Sequence, residues 1–272
     1  MILVFAAFCI AVVKADIILG NNPAVICRSA GGTDTYCTWK YIMNFDPKKD
    51  PGYICGFEPP SGSRTPHHVA LFDDDDNPLY VWSHKGTDLS YGKNTGLPLN
   101  DARMKSVSMI AHFPYNIESV LSGDILMRIR QCAGEPEYIP FINSLHNERI
   151  TIPPGKAKVV VKASQHLTHG GEAKWFLVHA HNIGVQNRAK FERGSVERGS
   201  VERSTQAPQS FVPIETPFVV QKGDIAHFEC EYDSTKMDTT TVYGPTHMDE
   251  MCVVYLIVVD KNPKWTKIPI KK

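Results

Sequence analysis

Short runs rich in Val, Ile, Phe and Tyr recur along the chain, with Pro and Gly between them. Residues 69–72, 106–113, 124–130, 158–162, 174–179 and 251–259 have this character. Each reads as a strand, because β-branched and aromatic side chains fit a pleated, half-buried surface. Helical periodicity is weak, so a parallel sheet with crossover helices finds no support. The pattern predicts an all-β protein built of antiparallel sandwiches or jelly rolls. A polar stretch at 143–149, followed by Pro153-Pro154-Gly155, opens a fresh series of strands and puts a boundary near 147–152. Residues 16–149 and 150–272 are then two domains, each long enough for a sandwich core.

The start of the chain changes the compartment. Residues 1–13 are nearly all apolar and end on Val13-Lys14-Ala15, with small residues where a signal peptidase reads. This predicts a signal peptide at 1–15, a mature chain from Asp16, and a product that is secreted or held in the secretory lumen. The run is too short to span a bilayer of about 30 Å, and no later run is long enough. Lys+Arg and Asp+Glu are equal at 29 each, so no basic field gathers nucleic acid, and a peptide or small molecule is the expected partner.

Cys9 leaves with the signal, and Cys27, Cys37, Cys55, Cys132, Cys230 and Cys252 remain. The even set suits an oxidising compartment. Cys230 to Cys252 is the simplest bridge, and the other four have no assigned partners. Two segments read as surface insertions. Glu192-Arg-Gly-Ser-Val196 is repeated at 197–201 and begins again at 202–204, which predicts an exposed loop. Asp73 to Asp76 is read as a solvated turn, since it lacks the spaced ligands and glycine of a calcium loop.

The histidines carry the candidate chemistry. His179 and His181 are two apart on a predicted strand, so they share a face and can offer two imidazoles to one metal. His67 and His68 would point apart on a regular strand and need a bulge or strand end to act together, which Thr65-Pro66 makes available. His112, on the face of Ser108 and Ile110, is a third imidazole for that site. The residues thus suggest two metal sites, one per half. The further ligand beside His179 and His181 stays open among His166, His169, His227, His247, Met248 and Met251. Imidazole suits copper and zinc, and a thioether moves the preference toward copper. No HExxH, GxSxG, GxGxxG or P-loop pattern occurs.

Residues 65–72 (TPHHVALF), 110–113 (IAHF), 152–155 (IPPG), 178–184 (VHAHNIG), 209–217, 223–225 (GDI) and 249–255 (DEMCVVY) fall in an order that resembles the copper type II, ascorbate-dependent monooxygenases, and among them the peptidylglycine hydroxylases. The resemblance runs from about Cys37 to Val259. It implies two β-sandwich domains facing each other across a solvent-filled cleft, with one copper on each. His67, His68 and His112 would hold an electron-transfer copper. His179, His181 and Met251 would form the catalytic copper site that takes dioxygen. It also supports the Cys230 to Cys252 bridge beside Met251 and marks Tyr255 as a substrate-binding residue. Two copper ions, ascorbate as electron donor and dioxygen as cosubstrate are the implied cofactors.

The resemblance falters at the substrate clamp. The family arginine two residues before the first histidine of the HxH pair is Leu177 here, and the asparagine after the Met-Cys pair is Val253. Leucine has no donor for a carboxylate. Ser164 stands where the second domain usually has a cysteine. Hydroxylation of the alpha carbon of a C-terminal glycine-extended peptide is the first expectation, with a separate lyase completing amidation. A small substrate such as an aromatic amine is the second. A non-catalytic secreted copper- or ligand-binding protein is the third.

Overall fold

The structure is a computed structural model that describes residues 17–19, 26–31, 34–43, 52–64, 66–83, 85–99, 102–115, 117 and 124–260. The expected signal segment lies outside the described residues. In the first half the strands are β1 (Ile17–Leu19), β2 (Ile26–Gly31), β3 (Asp34–Ile42), β4 (Gly52–Phe57), β5 (His68–Phe72), β6 (Pro78–Ser83), β7 (Leu89–Ser90), β8 (Leu97–Pro98), β9 (Ser106–Phe113) and β10 (Met127–Ala133). In the second they are β11 (Ile139–His146), β12 (Thr151–Ile152), β13 (Val159–His166), β14 (Gly171–His179), β15 (Gly184–Arg193), β16 (Val196–Ser204), β17 (Val212–Val220), β18 (Ile225–Tyr232), β19 (Thr241–Val242) and β20 (Val253–Asp260). Among the described residues the one helical element is a short 3-10 turn at Ala102–Lys105. The protein is all-β, and every ladder between these strands is antiparallel.

The first half forms two sheets, β1-β10-β4-β7 with β8 on β4, and β2-β3-β9-β5-β6. The second forms β11-β20-β14-β17, β13-β18-β15-β16 and the small pair β12-β19. Strand β11 therefore belongs to a second-half sheet, and the change of sheet falls between Ala133 and Ile139, ahead of the boundary expected at 147–152. Alternation decides which side chains meet the core. On β9, Val107, Met109, Ala111 and Phe113 are fully buried in the first-half cluster, which leaves Ser108, Ile110 and His112 for the other face.

Strand β20 is covered on both sides. Val254, Leu256 and Val258 lie in the second-half cluster, whereas Ile257 joins the first-half cluster and Tyr255 packs against it. Strand β14 divides in the same way, with Phe176 and Val178 facing one cluster and Leu177 the other. A strand with two buried faces must be apolar at every position, and this accounts for the uninterrupted run 253–259. Burial of a side chain such as Leu177, which is 0% exposed, stabilises by about 1.5–3 kcal/mol.

Three disulfides join Cys27 to Cys37, Cys55 to Cys132 and Cys230 to Cys252. The last is the expected bridge. The repeat at 192–204 is not a loop: it completes β15, turns at Gly194 with φ of 61°, and returns as edge strand β16. The ladder shifts register between Phe191 and Glu192, where Glu197 to Gly199 of β16 face two residues of β15. Val196 is exposed and Val201 is buried. Gly199 serves close packing, because a Cβ there would run into the ring of Phe218. Asp73 to Asp76 form the β5-β6 turn, in which the buried Asp73 Oδ1 accepts from the amides of Asp75 (3.0 Å) and Asn77 (2.8 Å).

Candidate metal centre

Cross-strand register assembles the first histidine set. His68 on β5 and Tyr36 on β3 are the two register partners of His112 on β9. Residues paired across antiparallel strands project from the same face. The rings of His68 and His112 consequently lie with centroids 4.5 Å apart, and Tyr36 stacks on His112 at 4.4 Å and 8°. His67 precedes the strand proper, at a bend, so strand alternation does not turn it away. Its ring lies 5.5 Å from that of His68 and 5.7 Å from that of His112, and donor atoms of all three residues come within 4.8 Å of one another.

The second set forms where β14 ends. His179 is the last residue of that strand, and its register partner is Val253, the first of β20. Continuing the antiparallel count by two residues sets His181 opposite Met251. The hydrogen bonds agree, since the amides of His181 and Met251 both donate to Glu250 Oε2, at 2.8 and 3.1 Å. Tyr232 donates its hydroxyl to the Met251 carbonyl at 2.9 Å, and the next residue, Cys252, is in the disulfide. Met251 is thus fixed on both sides of its Cα, whereas Met248 is 61% exposed.

Acceptors around these rings decide which nitrogen keeps its lone pair. His179 Nδ1 donates to Gln209 Oε1 at 2.5 Å, and Gln209 is itself oriented by donating to the carbonyls of Ala180 and Thr205. His181 Nδ1 donates to the Asp249 carbonyl at 3.0 Å. In both residues Nε2 is left as the free donor atom, and His181 Nε2 is buried with no hydrogen-bond partner. His112 is the mirror case, because Nε2 donates to Asp34 Oδ2 at 3.0 Å, leaving Nδ1 facing His68 Nδ1 at 3.4 Å.

Burial keeps these imidazoles neutral, the form that binds a metal. It pushes His68 well below the ordinary imidazole range, with the neighbouring His179 adding to the effect, and His179 down to about 3, with His181 adding. His181 is lowered by burial against the pull of the Asp249 carbonyl, and His112 by burial against its bond to Asp34. Burial also raises the Glu250 carboxyl to about 7, against the pull of the amides that bond it.

The two sets adjoin. The ring of His68 lies 5.5 Å from that of His179 and 6.5 Å from that of His181. The solvent-filled cleft expected between separated sites is closed at this point, because both polar and apolar contacts draw the halves together. Tyr36 donates to the Pro245 carbonyl at 2.7 Å, Asp34 bonds His247, and Leu177, Phe211 and Ile257 pack into the first-half cluster. The other candidate histidines are used elsewhere. His166 bonds the Gly223 carbonyl, His169 stacks on Phe141, and His227 bonds Ser164. Asp34, Gln209 and Glu250 as supporting acceptors escaped the sequence reading. A signal for Glu250 was its place within the Asp-Glu-Met-Cys segment.

Residues 143–265 match the family model of the copper type II ascorbate-dependent monooxygenase C-terminal domain. That stretch of the chain is similar to the family's C-terminal domain. Over 257 residues the chain is 24% identical to peptidyl-glycine alpha-amidating monooxygenase B of Xenopus laevis, covering 83% of this chain and 28% of that protein. The mouse peptidyl-glycine alpha-amidating monooxygenase is 24% identical over 256 residues, 83% of this chain and 25% of its own length. The chain therefore spans about a quarter of the length of these curated relatives. The donor set fits the family's metal. Neutral imidazoles suit copper, and a buried Nε2 without a partner is an orphan that a metal ion satisfies.

Proposed function

We propose that this chain is a secreted, copper- and ascorbate-dependent monooxygenase that hydroxylates an aliphatic C–H, with the alpha carbon of a C-terminal glycine-extended peptide as its first substrate. The observation that carries the proposal is the tautomer of His112, His179 and His181, each with one ring nitrogen on an acceptor so that the other keeps its lone pair. The overall reaction takes two electrons from ascorbate and two protons, inserts one oxygen atom of dioxygen as hydroxyl, and releases the other as water. Copper, when bound, supplies the one-electron and dioxygen chemistry. His67, His68 and His112 would hold one ion. His179, His181 and Met251 would hold the other. Gln209 and the Asp249 carbonyl keep the proton on Nδ1 of the second pair, and Tyr232 and the disulfide hold the methionine in place. Release of an amide from a hydroxyglycine product would fall to a separate lyase. Three disulfides support secretion, and no helix among the described residues is long and apolar enough to cross a membrane.

A second reading concerns the substrate alone. Leu177 is 0% exposed beside its register partner Tyr255, and Ile257 joins the same apolar cluster. Leucine in place of the family arginine leaves a carboxylate no cation at this position, which favours a neutral or amine substrate such as a small aromatic amine. Anaerobic copper loading followed by ascorbate-dependent oxygen consumption, run with a glycine-extended peptide and an aromatic amine, tests both readings. Consumption with neither substrate in a copper-loaded chain overturns the enzymatic reading. Met251→Ala should abolish hydroxylation while copper remains on His67, His68 and His112. Unchanged turnover in that variant removes Met251 from the site.

A further inference from the structure

We propose that Asp34 and His247 form a latch that couples the two donor sets, so that copper held by His67, His68 and His112 tightens the hold of His179, His181 and Met251 on theirs. The latch rests on the copper reading above and adds a link between the sites. Asp34 is 0% exposed at the start of β3, and both its oxygens are engaged. Oδ2 receives the His112 Nε2 proton at 3.0 Å and the amide of His247 at 2.7 Å, while Oδ1 lies 2.6 Å from His247 Nδ1. One carboxylate therefore orients a ring of the first set and anchors the loop that leads, four residues later, to Met251 of the second.

The loop is stiff enough to carry that link. Asp249 Oδ2 accepts from the amide and hydroxyl of Thr246, at 3.1 and 2.7 Å. The Asp249 carboxylate lies flat against Gly244, where any Cβ would collide with it. The Asp249 carbonyl then takes the His181 Nδ1 proton, and Glu250 ties the amides of His181 and Met251 together. The link runs from His112 through Asp34 to His247, along the backbone to Thr246, and through Asp249 to His181. Tyr36 braces it by stacking on His112 and donating to Pro245. A fully buried carboxylate that lost either partner would be left under-satisfied, so its two attachments favour each other. Coupling of this kind is reciprocal, and each set must raise the other's affinity by the same factor.

The test is a competition titration of Cu(I) against a chromophoric chelator, with the sulfur contribution in X-ray absorption marking the Met251 set. The affinity of that set is compared in the full chain and in His67→Ala, which cripples the first set without touching the latch. A drop of about fivefold or more in His67→Ala is expected, in the range of ordinary coupling factors. The same comparison in a His247→Ala background should give a ratio near one, and so should Asp34→Asn. Should Asp34→Asn fail to fold, His247→Ala decides the matter, because its ring is partly exposed. A ratio near one in the unaltered chain, or a ratio that survives His247→Ala, overturns the latch and leaves the two-site reading standing. A chain that binds no copper overturns that reading and the latch with it.

Discussion

Gln209 shows how much a single side chain contributes to a donor set. Its carbonyl oxygen takes the His179 Nδ1 proton while its amide bonds two backbone carbonyls, so the ring can neither flip nor exchange tautomers freely. Gln209→Leu keeps the bulk and removes the acceptor. Copper affinity at the His179 set should fall about 10–100-fold by the usual cost of a lost supporting bond, with the His67 set unchanged. Chelator competition would measure both, and equal affinities would show that Gln209 is only packing. The ring-bearing residues themselves were legible, because His68, His112 and His179 fall at strand positions whose facing can be counted, His181 continues that count just past β14, and Thr65-Pro66 marks the irregularity that frees His67. Their acceptors were not. Asp34 lies 78 residues from His112, and Gln209 lies 30 from His179, distances over which no local pattern operates.

Among the elements, β9 coincides with the expected strand at 106–113, and the apolar runs at 69–72, 174–179 and 251–259 mark β5, β14 and β20 to within a few residues. Strand β3 carried a signal that the run-based reading passed over. Cys37, Trp39 and Tyr41 alternate with Thr38, Lys40 and Ile42, buried against exposed, a period of two rather than a continuous run. Strand β16 was hidden for another reason. Its repeat is rich in Glu, Arg, Gly and Ser, and it is held as a strand by its ladder to β15, with charged residues suited to an open sheet edge. Gly199 tests that packing. In Gly199→Ala the new methyl meets the Phe218 ring, at a cost of about 1–3 kcal/mol for overpacking. Denaturant unfolding would measure this, and combining it with Phe218→Leu should recover part of the loss.

Across the whole molecule, the Cys230 to Cys252 bridge joins β18 in one second-half sheet to the residue before β20 in the other, next to Met251. Replacing both cysteines by serine removes a closure of 22 residues and should lower stability by about 3 kcal/mol on the loop-entropy account. Thermal unfolding would read that loss. Copper titration of the same variant should show the methionine set weakened more than the His67 set, and an equal effect on both would count against local positioning by the bridge. The arrangement of the halves also belongs to this scale. Strand type, antiparallel architecture and the pairing of imidazoles on one strand face follow from the amino-acid sequence alone, because alternation of side chains is a property of each strand by itself. Tertiary structure decided that the two histidine sets adjoin, that Asp34 bonds both His112 and His247, and that Leu177 and Ile257 are shared with the other half. Those outcomes depend on which sheet faces close on one another, a choice made by the sum of many weak apolar contacts and a few buried hydrogen bonds between residues far apart in the chain.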